Sequence, residues 1–188
     1  AIPILRPLRE SLAGDHITRV LGIVNGSTNY ILDRMDRFGD SAEDAMRLAS
    51  DLGYLEADPT LDVEGYDAAQ KATILASIAF HTEVPVDAVY REGITKITAA
   101  QIDAAKHAGY VIKLLAIAER ITSADGTDGV SARVYPALIG RDARAGIAGI
   151  VHCPGLELIG AVRQLADVPC VVVGRLGEFT GESTSVER

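Results

Sequence analysis

The chain has 188 residues, 48% of them hydrophobic and 23% charged, with a net charge of -8. That is ordinary globular composition, and a chain this long buries roughly 70% of the surface its unfolded form exposes. The acidic balance argues against nucleic acid or an anionic membrane as the main partner, since both are met by basic patches. No apolar run approaches the roughly 20 residues needed to cross a bilayer. Cys153 and Cys170 are the only cysteines, too few for a disulfide framework, so reduced thiols and a cytoplasmic location are expected.

In chain order, residues 1–7 carry no signal-peptide pattern. Residues 17–24, rich in Ile, Val and Leu, predict a strand, and residues 28–35 have helical spacing. Ser41 followed by Asp44 reads as a helix start, with Gly53 placed to end that helix. Residues 54–62, punctuated by Pro59, predict a loop. A second helix should begin near Val63 or Asp67 and end near His81. Its interior is apolar almost all round, which predicts burial on several sides. Residues 98–108 predict a helix closed by Gly109. Residues 110–121 and 130–139 predict two buried strands, and Cys170–Val173 a third, followed by a loose polar tail. The irregular alternation of helices and strands predicts an α+β fold with a mixed β-sheet flanked by helices.

Five carboxylates fall between Glu56 and Asp67: Glu56, Asp58, Asp62, Glu64 and Asp67. Asp67 and Lys71 are four apart, so a helix puts them on one face. A lysine at the lip of an apolar helix, beside a carboxylate, suits proton donation to a reacting carbonyl oxygen. The plainer account is a solvated helix pair worth about 0.3–0.5 kcal/mol, and from chemistry alone that account is favoured. Asn25-Gly26-Ser27-Thr28-Asn29-Tyr30 lies between a strand and a helix. It is either an anion-binding helix start or, more commonly, a capped turn with Thr28 or Ser27 as N-cap. His152-Cys153 has no second ligand pair at metal spacing, and His16, His81 and His107 are isolated, so no metal site is expected. Gly174, Gly177 and Gly181 do not form a dinucleotide fingerprint, and no such fingerprint or P-loop occurs in the chain.

These same stretches resemble one family. Residues 2–12, residues 21–32, and Leu52-Gly53-Tyr54 through Asp67 and Lys71 are similar to homoserine dehydrogenases, co-linearly from the first residue to about Arg141. The resemblance implies reduction of aspartate 4-semialdehyde to homoserine with NADH or NADPH, on the route to threonine, methionine and isoleucine. It implies a homodimer and a mixed sheet flanked by helices. By position it makes Lys71 the proton donor and Asp67 the group that orients it. Glu56 would hold the substrate ammonium or a bridging water, and Tyr54 with Asn25, Gly26, Ser27 and Thr28 would line the pocket. Residues 1–141 are then the substrate and dimerisation domain, and residues 142–188 a divergent, partly ordered segment. The family's Rossmann domain is not among these residues, so no cofactor-binding residue is expected in this chain, and little activity from it alone. The family's glycine-rich stretch after the last strand is replaced by residues 173–181 and a polar tail, as a reading-frame change or a truncated gene would produce. The alternatives are a non-enzymatic dimerisation or amino-acid-binding module derived from the enzyme, and a Schiff-base lyase using Lys71.

Overall fold

The computed structural model describes residues 4–122 and 126–141, with the backbone of residues 151–152 and 170–173. A single wide helical turn, Pro7–Ser11, leads into strand β1 (Arg19–Gly22). Helices α1 (Gly26–Phe38), α2 (Ala42–Asp51), α3 (Thr60–Val63) and α4 (Tyr66–Phe80) follow. Strand β2 (Tyr90–Arg91) and helix α5 (Ala99–His107) precede a long hairpin of β3 (Tyr110–Thr122) and β4 (Asp128–Gly140). Strands β5 (Val151–His152) and β6 (Cys170–Val173) complete the sheet. The order is β2-β4-β3-β1-β6, with β5 also on β4. Two pairings, β1 with β6 and β2 with β4, are parallel and the rest antiparallel. The fold is therefore α+β with a mixed sheet, as the irregular alternation of helices and strands predicts.

The hairpin explains the layering. Along β3, Ile112, Leu114, Ala116 and Ala118 are buried in the main core with residues of α1, α4 and α5. Leu115 and Ile117 face the other way and join Leu21, Tyr135 and Ala137 in a second cluster that contains no residue of the described helices. This is the period-two alternation of a sheet buried on both faces.

Pro136 sits within β4 although it has no N–H. Its partner across the hairpin, Leu114, turns its N–H and C=O the opposite way, onto the Asn29 side chain. Pro136 thus faces the outer edge of β4, between the residues paired by β2 and those paired by β5, where no donor is demanded of it.

Several bounds differ from the sequence expectations. The strand expected over residues 17–24 pairs only through Arg19–Gly22. Beyond it the chain leaves the sheet, and the Val24 carbonyl accepts from Lys71 instead. Helix α1 starts two residues early and runs one turn longer. Its N-cap is Asn25, which displaces the expected Thr28 or Ser27. The Asn25 Oδ1 accepts the Thr28 N–H at 2.9 Å and the Thr28 hydroxyl at 2.7 Å. The loop expected over residues 54–62 contains the one-turn helix α3, started at Pro59. Helix α4 is buried on several sides, as expected, with Ile74 left 48% exposed. The Ser41 cap and the closures at Gly53 and Gly109 are as expected. The divergent segment, the His152-Cys153 pair and the glycines after Val173 lie outside the residues whose side chains are described.

Candidate functional site

The site forms where β1 releases the chain to α1 and where α3 turns into α4. Asn25 is 4% exposed and uses its whole amide. Its oxygen caps α1, which orients the nitrogen outward. Nδ2 then donates to Asp62 Oδ1 at 2.6 Å and to Asp67 Oδ2 at 2.9 Å. Two carboxylates from two helices thus converge on one neutral amide. Thr28 and Asn29 reinforce this end of α1, with Asn29 Nδ2 donating to the Asn25 carbonyl at 3.0 Å.

Lys71 stands one turn after Asp67 on α4. Its ammonium donates to Asp67 Oδ2 at 2.6 Å and to the Val24 carbonyl at 3.0 Å. An ammonium has three N–H groups. The third has no protein acceptor among the described residues. The side chain keeps 47% of its exposure, so the desolvation expected at the lip of an apolar helix is slight. What holds Lys71 is the carboxylate and the carbonyl, not burial. As a half-exposed ion pair it contributes at most about 1 kcal/mol to stability.

A second wall stands beside this cluster. Ser27 Oγ donates to the Tyr54 carbonyl at 2.6 Å, tying the start of α1 to the chain after α2. The Tyr54 and Tyr30 rings meet edge to face, 5.1 Å between centroids. Gly26 is exposed as the first residue of α1, with open space around it. Glu56 lies two residues beyond Tyr54, exposed, and makes no side-chain hydrogen bond or ion pair among the described residues. The structure therefore brings Asn25, Asp67 and Lys71 into one hydrogen-bonded unit and joins Ser27 to Tyr54. It leaves Glu56 outside that network.

Asp62 is a member of the unit that sequence reasoning counted only as one carboxylate of an acidic loop. Its distinguishing signal, a place in a helical turn five residues before Asp67, appears only once α3 is seen. The Val24 carbonyl has no sequence signal at all. Asp58, by contrast, turns inward on its own loop: it accepts the Thr60 hydroxyl and N–H, which hold its carboxyl below the usual range.

The strand-to-helix turn at the site does not fit a dinucleotide. Its Gly22 and Gly26 are four apart, a spacing the G-x-G-x-x-G fingerprint does not contain, and the Thr28 N–H that could meet a phosphate is taken by Asn25. Among the described residues no group of three or more His, Cys, Asp and Glu could hold a metal ion, and no helix is long and apolar enough to cross a membrane.

A sequence model described as homoserine dehydrogenase matches residues 3–148. The homoserine dehydrogenase of Mycobacterium leprae is 65% identical over 139 residues, 74% of this chain and 32% of that protein. That of Corynebacterium glutamicum is 60% identical over 139 residues, 74% of this chain and 31% of that protein. The crystal structure of a homoserine dehydrogenase from Thiobacillus denitrificans superposes with a TM-score of 0.70 at 43% identity, covering 75% of this chain and 32% of that one. The chain thus spans about a third of the length of the relatives it matches. It belongs to the homoserine dehydrogenase family.

Proposed function

We propose that this member of the homoserine dehydrogenase family supplies the substrate half of an oxidoreductase that interconverts aspartate 4-semialdehyde and homoserine. The observation that carries the reading is the Lys71 ammonium, fixed by two acceptors and keeping one N–H without a protein partner among the described residues. Reduction of an aldehyde adds a hydride to carbon and a proton to oxygen. NADH or NADPH, for which the described residues offer no site, would supply the hydride when bound. Lys71 Nζ donates a hydrogen bond to the aldehyde oxygen and gives it the proton as negative charge develops there. Asp67 orients the ammonium through its 2.6 Å contact. Glu56, exposed and without an ion-pair partner among the described residues, takes the substrate ammonium directly or through a water. Tyr54, Gly26 and Ser27 form the wall against the carbon chain, with the buried Asn25 and Thr28 holding that turn from behind. Residues 1–141 act as the substrate and dimerisation unit in a cytoplasmic homodimer, on the route to threonine, methionine and isoleucine.

The test is oxidation of NADPH and NADH by the purified chain with aspartate semialdehyde, beside a Lys71→Ala variant. The expected result is no turnover by these residues alone from a folded chain. Turnover that the variant abolishes would mean that these residues hold the dinucleotide too, and would overturn the division of labour.

A further inference from the structure

We propose that residues 91–95 are a positioning device for the site, acting on the corner between α3 and α4. The corner matters because Asp62 lies on one side of it and Asp67 on the other, yet both must reach the single Asn25 amide. Two like charges brought together tend to push the corner open. Within the corner the Gly65 N–H donates to the Asp62 carbonyl at 2.8 Å and the Gly65 carbonyl accepts the Ala69 N–H at 2.9 Å, while Gly65 itself turns at φ +79.

These local bonds fix the turn but not its place against the sheet, which is set from outside. The Ile94 N–H donates to the Val63 carbonyl at 2.8 Å. Arg91 Nη1 donates to the Glu64 carbonyl, and its guanidinium stacks over the Tyr66 ring, 3.6 Å from the centroid. Thr95 Oγ1 donates to Glu64 Oε1 at 2.9 Å. Residues 63, 64 and 66 are thus each held from the same short segment, which β2 anchors to β4. Gly93 makes the approach possible. A Cβ there would stand 2.3 Å from the Val63 carbonyl oxygen and 2.5 Å from Glu64 Cα, both backbone atoms that cannot step aside. The glycine is demanded by this contact, and its φ is not what requires it.

Arg91, Gly93 and Thr95 touch no substrate in this account. They set the distance between Asp62 and Asp67, and through Asn25 and Asp67 the place of Lys71. The functional consequence rests on the homoserine reading above; the geometric one does not. The experiment uses the whole chain with Arg91→Ala, Gly93→Ala and Thr95→Val, and Ile102→Val in α5 as a variant that loosens the core away from the corner. Two quantities are read: the Asn25 side-chain NH2 signals in a 1H–15N spectrum, and the Kd for L-homoserine. In the clamp variants the Asn25 signals should move toward free-amide positions. Homoserine binding should weaken about tenfold or more, the scale on which small misplacements act. Ile102→Val should change neither, and Arg91→Lys should recover part of the loss. If the clamp variants lower the melting temperature but keep the Asn25 signals of the parent, the segment is merely structural and the proposal fails. If the parent chain binds no homoserine, the functional reading fails, and the Asn25 signals still decide the positioning claim. Should Gly93→Ala not fold, the Arg91 and Thr95 variants carry the same decision.

Discussion

Asn25 shows how much one side chain can organise. Its oxygen ends a helix and its nitrogen joins two carboxylates, so replacing it acts on both. Asn25→Asp keeps a capping oxygen but sets a third carboxylate against Asp62 and Asp67. The variant should unfold at lower urea than Asn25→Ala at pH 7. The gap should close as the pH falls toward about 5, because protons joining a crowded carboxylate cluster relieve repulsion in the folded state more than in the unfolded one. Urea denaturation at the two pH values checks this; a gap that stays constant would contradict it. The Asp67–Lys71 contact was legible from spacing alone, because a helix fixes what four residues separate. The Asn25 bridges were not. They join residues 37 and 42 positions apart, and no local pattern announces which amide a carboxylate will meet.

At the level of elements, caps and edges decide the bounds. Ser41 caps α2 by accepting the Asp44 N–H at 3.0 Å, while the Ser41 hydroxyl and Arg47 hold the Asp44 carboxyl below its ordinary range. Ser41→Ala should lower stability by about 1 kcal/mol in denaturant unfolding. The part that comes from Asp44 is present above the ordinary carboxylate value of 3.8 and is lost as pH falls through its lowered folded value. Asn29 does for a strand what Ser41 does for a helix. It donates to the Leu114 carbonyl at 3.1 Å and accepts from its N–H at 3.0 Å, closing the edge of β3 beyond the end of β1. Asn29→Leu leaves both groups unpaired and should be destabilising by about 1–3 kcal/mol for each. Strands β3 and β4, the helix starts at Ser41 and Thr98, and the glycine closures follow from β-branched runs and capping chemistry, and they were legible. Helix α3 was not, because four residues in an acidic loop carry no period. Nor were the parallel pairings of β1 with β6 and β2 with β4, which depend on neighbours remote in sequence.

Across the described residues, one charged group lies deep in the sheet. Lys113 on β3 is 3% exposed and reaches Asp33 of α1 at 3.4 Å. Burial lowers its pKa below the usual 10.5, outweighing the pull of Asp33 and Asp36, while Arg37 adds to the lowering. Its surroundings tie α1, α5 and both hairpin ends together, with Arg141 paired to Asp36 and Lys106 donating to the Asp36 carbonyl at 2.9 Å. A base whose folded pKa is depressed binds fewer protons in the folded state. Stability therefore rises with pH between the folded value and 10.5. Relative to Lys113→Met, the parent chain should gain stability as the pH is raised from 8 toward 10. A difference independent of pH would show that the charge is not strained by burial.

The central claim is that these residues form an amino-acid substrate site centred on Lys71. Titration calorimetry of L-homoserine into the purified chain, with Lys71→Ala and Glu56→Gln beside it, tests it most directly. The account predicts saturable binding at one site per chain. Loss of the ammonium should weaken it by about tenfold or more, and loss of the Glu56 charge by a similar factor. No binding by a folded parent chain, or equal affinity in the Lys71→Ala variant, would contradict it.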